Sequence, residues 1–170
     1  MLAVLAAVMP AAAQQQDRLD AAIAAASKTF DRARPALGPM AAGVDTAAYR
    51  AALSKRRFYS TRFHAELALR YVTMRDGAGR CPQFAAYVVP APDNGVVTIH
   101  LCPEFFRSGA DGLRETTILH ELVHVVAGPD ECQAMAFTAQ VQLLATGTFQ
   151  PVDRYWASNG CDRSAYRLPK

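Results

Sequence analysis

Residues 116–137 read "TTILHELVHVVAGPDECQAMAF" and set two imidazoles and a carboxylate inside an otherwise apolar run. Ile118, Leu119, Leu122, Val123, Val125 and Val126 recur at helical spacing, which predicts a helix from about Leu113 to Ala127 with its apolar stripe in a core. His120 and His124 then stand one turn apart on the same side of that helix, while Glu121 points to a different side of the same turn. Ionisable groups at a core-facing surface are costly unless a metal ion or hydrogen bonds satisfy them. The fold must therefore supply partners for these side chains while burying the stripe around them.

His120-Glu121-Leu122-Val123-His124 has the HExxH form, in which two imidazoles share one zinc ion and the glutamate acts as a general base. A catalytic zinc site takes three protein ligands, so one more must come from elsewhere in the chain. Gly128-Pro129 breaks the helix and lets the chain reverse, which brings Asp130 and Glu131 within reach. Glu131 opens the next predicted helix, about Glu131 to Ala145, and is the preferred third ligand; Asp130 suits the N-cap of that helix and is the alternative. A thiolate from Cys132 is the remaining option.

The chain has 170 residues, 51% hydrophobic and 19% charged, which suits one folded domain with a core of its own and excludes extended disorder. Its net charge of +3 is scattered, with only short clusters such as Lys55-Arg56-Arg57, so neither a nucleic-acid footprint nor stable membrane insertion is expected. The opening "MLAVLAAVMPAAAQQQ" carries a short apolar run, then Pro10 and an Ala-x-Ala pattern at Ala11–Ala13. Such a stretch has the look of a signal peptide over residues 1–13, and export to a secreted or periplasmic location is expected. The domain then runs from residue 17 to 170 as a monomer.

The four cysteines, Cys81, Cys102, Cys132 and Cys161, fit export, because an even count in an exported chain points to disulfides. Cys81 and Cys102 bracket "PQFAAYVVPAPDNGVVTIHL", two strand-like runs around a Pro-Asp-Asn-Gly turn; an antiparallel hairpin brings its ends together and pairs them. Cys132 is left for Cys161. Elsewhere, a first helix is expected from Asp17 to about Arg34, with Leu19, Ile23, Ala26 and Phe30 on one face. A second helical region is expected from an N-cap at Asp45 to about Arg75, where Phe63, Leu67, Tyr71 and Met74 keep helical spacing. The first helix is also placed so that it could serve as an inhibitory segment.

The run "VVTIHLCPEFFRSGADGLRETTILHELVHVVAGPDE" resembles the core of the aspzincins, the deuterolysin and peptidyl-Lys metalloendopeptidase group. In that family the ligands are the two motif histidines and the aspartate of a following GTxDxxYG segment. Matched to it, "GPDECQAM" puts Gly128 on the first glycine, Glu131 on the metal aspartate, Ala134 on a transition-state tyrosine and Met135 on the last glycine. A disulfide just before the active-site helix, as Cys81–Cys102 would be, is also a family habit. A glutamate opening a helix further resembles gluzincins, and that comparison too selects Glu131. The resemblance, strongest over Cys81 to Gln140, implies an α+β zincin-like domain, mostly helical, with a small antiparallel sheet beside the active-site helix.

It implies a metalloendopeptidase with one Zn2+ per chain on His120, His124 and Glu131, Glu121 as general base, and a protein or peptide substrate. The tyrosine position being Ala134, the second oxyanion donor is unassigned, with Tyr155, Tyr166 and His100 as candidates. The strand "GVVTIHLC" is expected to be an edge that pairs with substrate backbone, Val97, Ile99 and Leu101 facing one side and Thr98 and His100 the other. In "QPVDRYWASN", which resembles a specificity segment of the lysine-specific members, Asp153 is the only acid and the candidate for favouring a basic substrate residue. The competing function is an exported zinc-binding or disulfide-stapled domain without catalysis, which has no need of Glu121.

Overall fold

The computed structural model describes residues 11–170; the expected leader lies outside the described residues except for Ala11–Ala13, which begin the first helix. That helix, α1 (Ala11–Ala33), starts earlier than its apolar spacing suggested. It buries Leu19, Ala22, Ala26, Phe30 and Ala33 along one face and packs against two later helices, α3 (Asp111–Val126) and α4 (Glu131–Thr146). Phe30 has no exposed surface and stands 4.8 Å from the ring of Tyr49, which in turn lies 4.8 Å from Phe137. Tyr49 sits on α2 (Thr46–Lys55), so this aromatic trio joins three helices in one core.

After α2 the structure departs from the expected continuous helix. Asp45 is its N-cap, accepting hydrogen bonds from the backbone of Ala47 and Ala48, but the helix stops at Lys55 and Arg56 takes a left-handed conformation (φ 53°). Residues expected to be helical up to Arg75 instead form β3 (Arg57–Ser60) and β4 (Ala65–Thr73), an antiparallel pair. Leu67 and Leu69 alternate inward while Glu66 and Arg70 face solvent, the period of a half-buried strand. Ahead of α2, β1 (Met40–Ala41) and β2 (Val44–Asp45) make a minimal hairpin.

The hairpin expected between the first two cysteines is present as β5 (Ala86–Asp93) and β6 (Val96–Leu101), with Asn94 and Gly95 both at positive φ as the tight turn requires. It belongs to a four-stranded sheet of order β3-β4-β6-β5, in which β6 runs parallel to β4. Strand β6 is therefore an inner strand, which overturns its expected role as a docking edge; the edge beside α3 is β5. Phe58, Leu67, Leu69, Val97, Ile99 and Leu101 turn one sheet face to the helices and are at most 5% exposed. The chain is thus a mixed helix-and-sheet fold, with a larger and less purely antiparallel sheet than the sequence suggested.

Both expected disulfides form, Cys81–Cys102 and Cys132–Cys161. The first closes the loop between β4 and β5 onto the end of β6. The second ties the first turn of α4 to the short turn after α5 (Asp153–Ser158), whose Trp156 indole donates to Asp162 at 2.9 Å. Two disulfides are the mark of a chain that matures in an oxidising environment. No described helix is long and apolar enough to cross a membrane.

Candidate metal centre

Helix α3 carries HELVH into the interior: Leu119, Leu122 and Val123 have no exposed surface, and His124 and Glu121 are 6% and 7% exposed. Its position is fixed from several sides. The Tyr49 hydroxyl donates to the carbonyl of Leu119 at 2.7 Å, immediately before His120. At the start of α3 the buried Arg114 guanidinium donates to the carbonyl of Arg107 at 2.7 Å and also binds Asp111. Helix α4 packs alongside, and Asp130 caps it by accepting from the Gln133 backbone at 2.9 Å.

That cap answers the choice left open by the sequence. With Asp130 committed to the helix end, Glu131 stands in the first turn of α4 and turns its carboxylate to the histidines. Its Oε2 lies 3.0 Å from His120 Nε2 and 3.5 Å from His124 Nε2, and the two Nε2 atoms are 3.1 Å apart. A tetrahedral ion with ligand bonds of about 2.0–2.2 Å requires its ligand atoms to be roughly 3.3–3.6 Å from one another, close to this triangle. His120, His124 and Glu131 form a group able to hold a metal ion. Cys132 is excluded as a ligand by its disulfide.

The surrounding hydrogen bonds suit that role. His124 donates from Nδ1 to the carbonyl of Gly128 at 2.9 Å, which leaves the Nε2 lone pair free to face an ion. Gly128 adopts φ +121°, a region that side chains rarely enter, and a Cβ there would press on the Arg62 guanidinium at 3.0 Å. The Gly-Pro break thus delivers the orienting carbonyl as well as the chain reversal. Burial works against the Glu131 charge, but hydrogen bonds from His120 and His124 outweigh it and hold the carboxyl below its usual range. Burial likewise works against a charged His124, and is overcome mainly by Glu131. The cluster behaves as a preformed anion-imidazole set.

Glu121 differs from its neighbours. Its Oε2 is buried with no hydrogen-bond partner, and burial raises its pKa against the pull of both histidines. Glu121 lines the cavity that holds the histidines and Glu131, and a carboxylate with an unpartnered oxygen there is suited to receive a proton from a molecule in that cavity. The cavity measures about 190 Å³ and is bounded on its far side by β5 through Ala86, Tyr87, Val88 and Val89.

Of the other expected site residues, only Tyr155 reaches the centre. Its ring lies 6.3 Å from that of His120, and burial, followed by the Glu131 carboxylate, keeps its phenol protonated well above the usual range. His100 stacks on Tyr87 at 4.7 Å with Nδ1 3.3 Å from Met74 Sδ, on the sheet face turned away from the helices. Tyr166 lies near Gly43, and Asp153 is exposed at the start of α5; neither they nor His100 line the cavities beside the triad. No described residue of α1 lines those cavities; its buried face packs against α3 and α4.

Comparison with protein-family models, curated proteins and solved structures finds no match.

Proposed function

We propose that this chain is an exported zinc metalloendopeptidase of zincin type, a divergent relative of the aspzincins with glutamate as third ligand. The observation that carries the reading is the convergence of His120, His124 and Glu131 beside the unpartnered carboxylate of Glu121. Two imidazoles and one carboxylate are the donor set of catalytic zinc sites that keep a fourth position open. A zinc ion there supplies Lewis acidity and brings the pKa of water down towards neutrality.

The chain's own groups account for the remaining steps. Glu121 accepts the proton of the attacking water and later delivers it to the leaving amine. The Tyr155 phenol, kept protonated, donates to the developing oxyanion and so replaces the tyrosine that Ala134 lacks. Strand β5 holds the substrate backbone. Cys102 donates to the carbonyl of Ala85 at 2.9 Å, so by antiparallel alternation Tyr87 and Val89 bond inward to β6 while Ala86 and Val88 present free N–H and C=O groups to the cleft. An extended peptide pairing there lies beside the triad, and its affinity comes mainly from main-chain hydrogen bonds.

Digestion of an unfolded protein substrate tests this reading. Hydrolysis is expected with zinc, lost on chelation and restored by added zinc; Tyr155→Phe is expected to lower kcat about 10²-fold with zinc content unchanged. Hydrolysis that persists in the chelated protein, or a Tyr155→Phe variant with full kcat, contradicts it.

A further inference from the structure

Beyond the metal cavity a second one opens from the same centre. It measures about 180 Å³ and shares Phe84, Ala86, His120, Glu121 and Tyr155 with the first. Its own walls come from Ala85, Thr116, Thr117, Met135 and Val152. Sites for drug-sized ligands start near roughly 300 Å³, so this cavity is on the scale of a side chain, not of a whole ligand. Among the described residues, the only ionisable groups lining it, His120, Glu121 and Tyr155, belong to the metal site itself. Met135 is buried on α4, four residues beyond the ligand Glu131, while Val152 packs onto the cluster of Cys132, Met135, Trp156 and Cys161. The pocket floor is therefore anchored to the same disulfide-tied unit that positions Glu131 and Tyr155.

We infer that this cavity is the specificity pocket of the enzyme and that it selects an uncharged, apolar substrate side chain of leucine to phenylalanine size next to the bond that is cut. The inference rests on the peptidase reading above. A lysine or glutamate side chain entering there is desolvated against Phe84, Met135 and Val152 with no counter-charge dedicated to it, whereas a leucine side chain gains the burial that its apolar surface favours. This is the opposite preference from the one Asp153 would have conferred had it faced the cleft.

The test uses the zinc-supplemented Glu121→Gln protein, in which turnover is slowed about 10²–10⁴-fold so that binding is read before cleavage. Fluorescent, end-blocked hexapeptides of alanine with a single leucine, lysine or glutamate are titrated by anisotropy, with zinc content measured on the same samples. The leucine peptide is expected to bind about ten- to a hundred-fold more tightly than the other two. Val152→Asp, at a half-buried position where aspartate also suits the N-cap of α5, is expected to remove that advantage and favour lysine. Phe84→Ala, an independent variant, is expected to shift the preference from leucine to larger side chains. Equal binding of the three peptides, or preference for lysine in the unaltered pocket, overturns the inference. Absence of zinc from samples that still rank leucine first overturns the peptidase reading and the specificity role with it, leaving only a pocket that binds apolar side chains.

Discussion

Replacing Glu121 by glutamine is expected to lower kcat for peptide hydrolysis by about 10²–10⁴-fold, the contribution of a positioned general base. Metal content should not change, because Glu121 is not among the converging ligand atoms. The fold should hold as well: the Glu121 Oε2 has no hydrogen bond to lose, and the amide keeps the carboxylate's shape. Activity and metal analysis on one preparation check this. A metal-binding domain without catalysis predicts two indistinguishable proteins; a structural domain predicts neither metal nor activity in either.

The second large effect concerns stability. Cys132 and Cys161 are 29 residues apart in sequence, and closing a loop of that length is worth about 3–4 kcal/mol through the unfolded chain. The double variant Cys132→Ser/Cys161→Ser is expected to melt roughly 7–15 °C lower, at about 2–4 °C per kcal/mol for a chain of this size. Its functional loss should exceed what the remaining folded fraction explains, because this disulfide joins the turn bearing Glu131 to the segment that follows Tyr155. Thermal unfolding and kcat measured well below the transition check both parts. An unchanged melting temperature contradicts the first, and full activity in the folded variant contradicts the second.

What the sequence made legible here is mostly local. HELVH, the Gly128-Pro129 break and an acid at a helix start are all contained in one short stretch, and helix geometry converts their spacing directly into direction. The preference for Glu131 over Asp130 follows from capping chemistry, and the cap bond from Asp130 to the Gln133 backbone accords with it. Reading β4 as helix has an equally local cause. Phe63, Leu67 and Tyr71 are four residues apart, a spacing that suits one face of a helix and one face of a strand alike. Leu69, two residues from Leu67, and the β-branched and aromatic run Tyr71-Val72-Thr73 were the signals that separate the two.

Strand order was not legible, because the parallel pairing of β6 with β4 joins segments that local patterning treats independently. That pairing moves β6 inward, makes β5 the edge and leaves His100 on the sheet face turned away from the helices. The position of Tyr155 depends on tertiary structure in the same way. Nothing in "QPVDRYWASN" distinguishes Tyr155 from Asp153 as the residue facing the centre until α5 is fixed by the disulfide after it and by the Trp156–Asp162 hydrogen bond. Once it is fixed, Tyr155 turns to the metal centre and Asp153 to solvent.

The most direct test of the central claim is zinc stoichiometry on purified protein after dialysis against a weak chelator, beside Glu131→Ala and Asp130→Ala. One zinc per chain is expected in the unaltered protein and in Asp130→Ala, which should lose only about 1 kcal/mol of stability with its cap. In Glu131→Ala, zinc is expected to be absent. No zinc in the unaltered protein after supplementation, or zinc retained by Glu131→Ala and lost by Asp130→Ala, contradicts the His120-His124-Glu131 site.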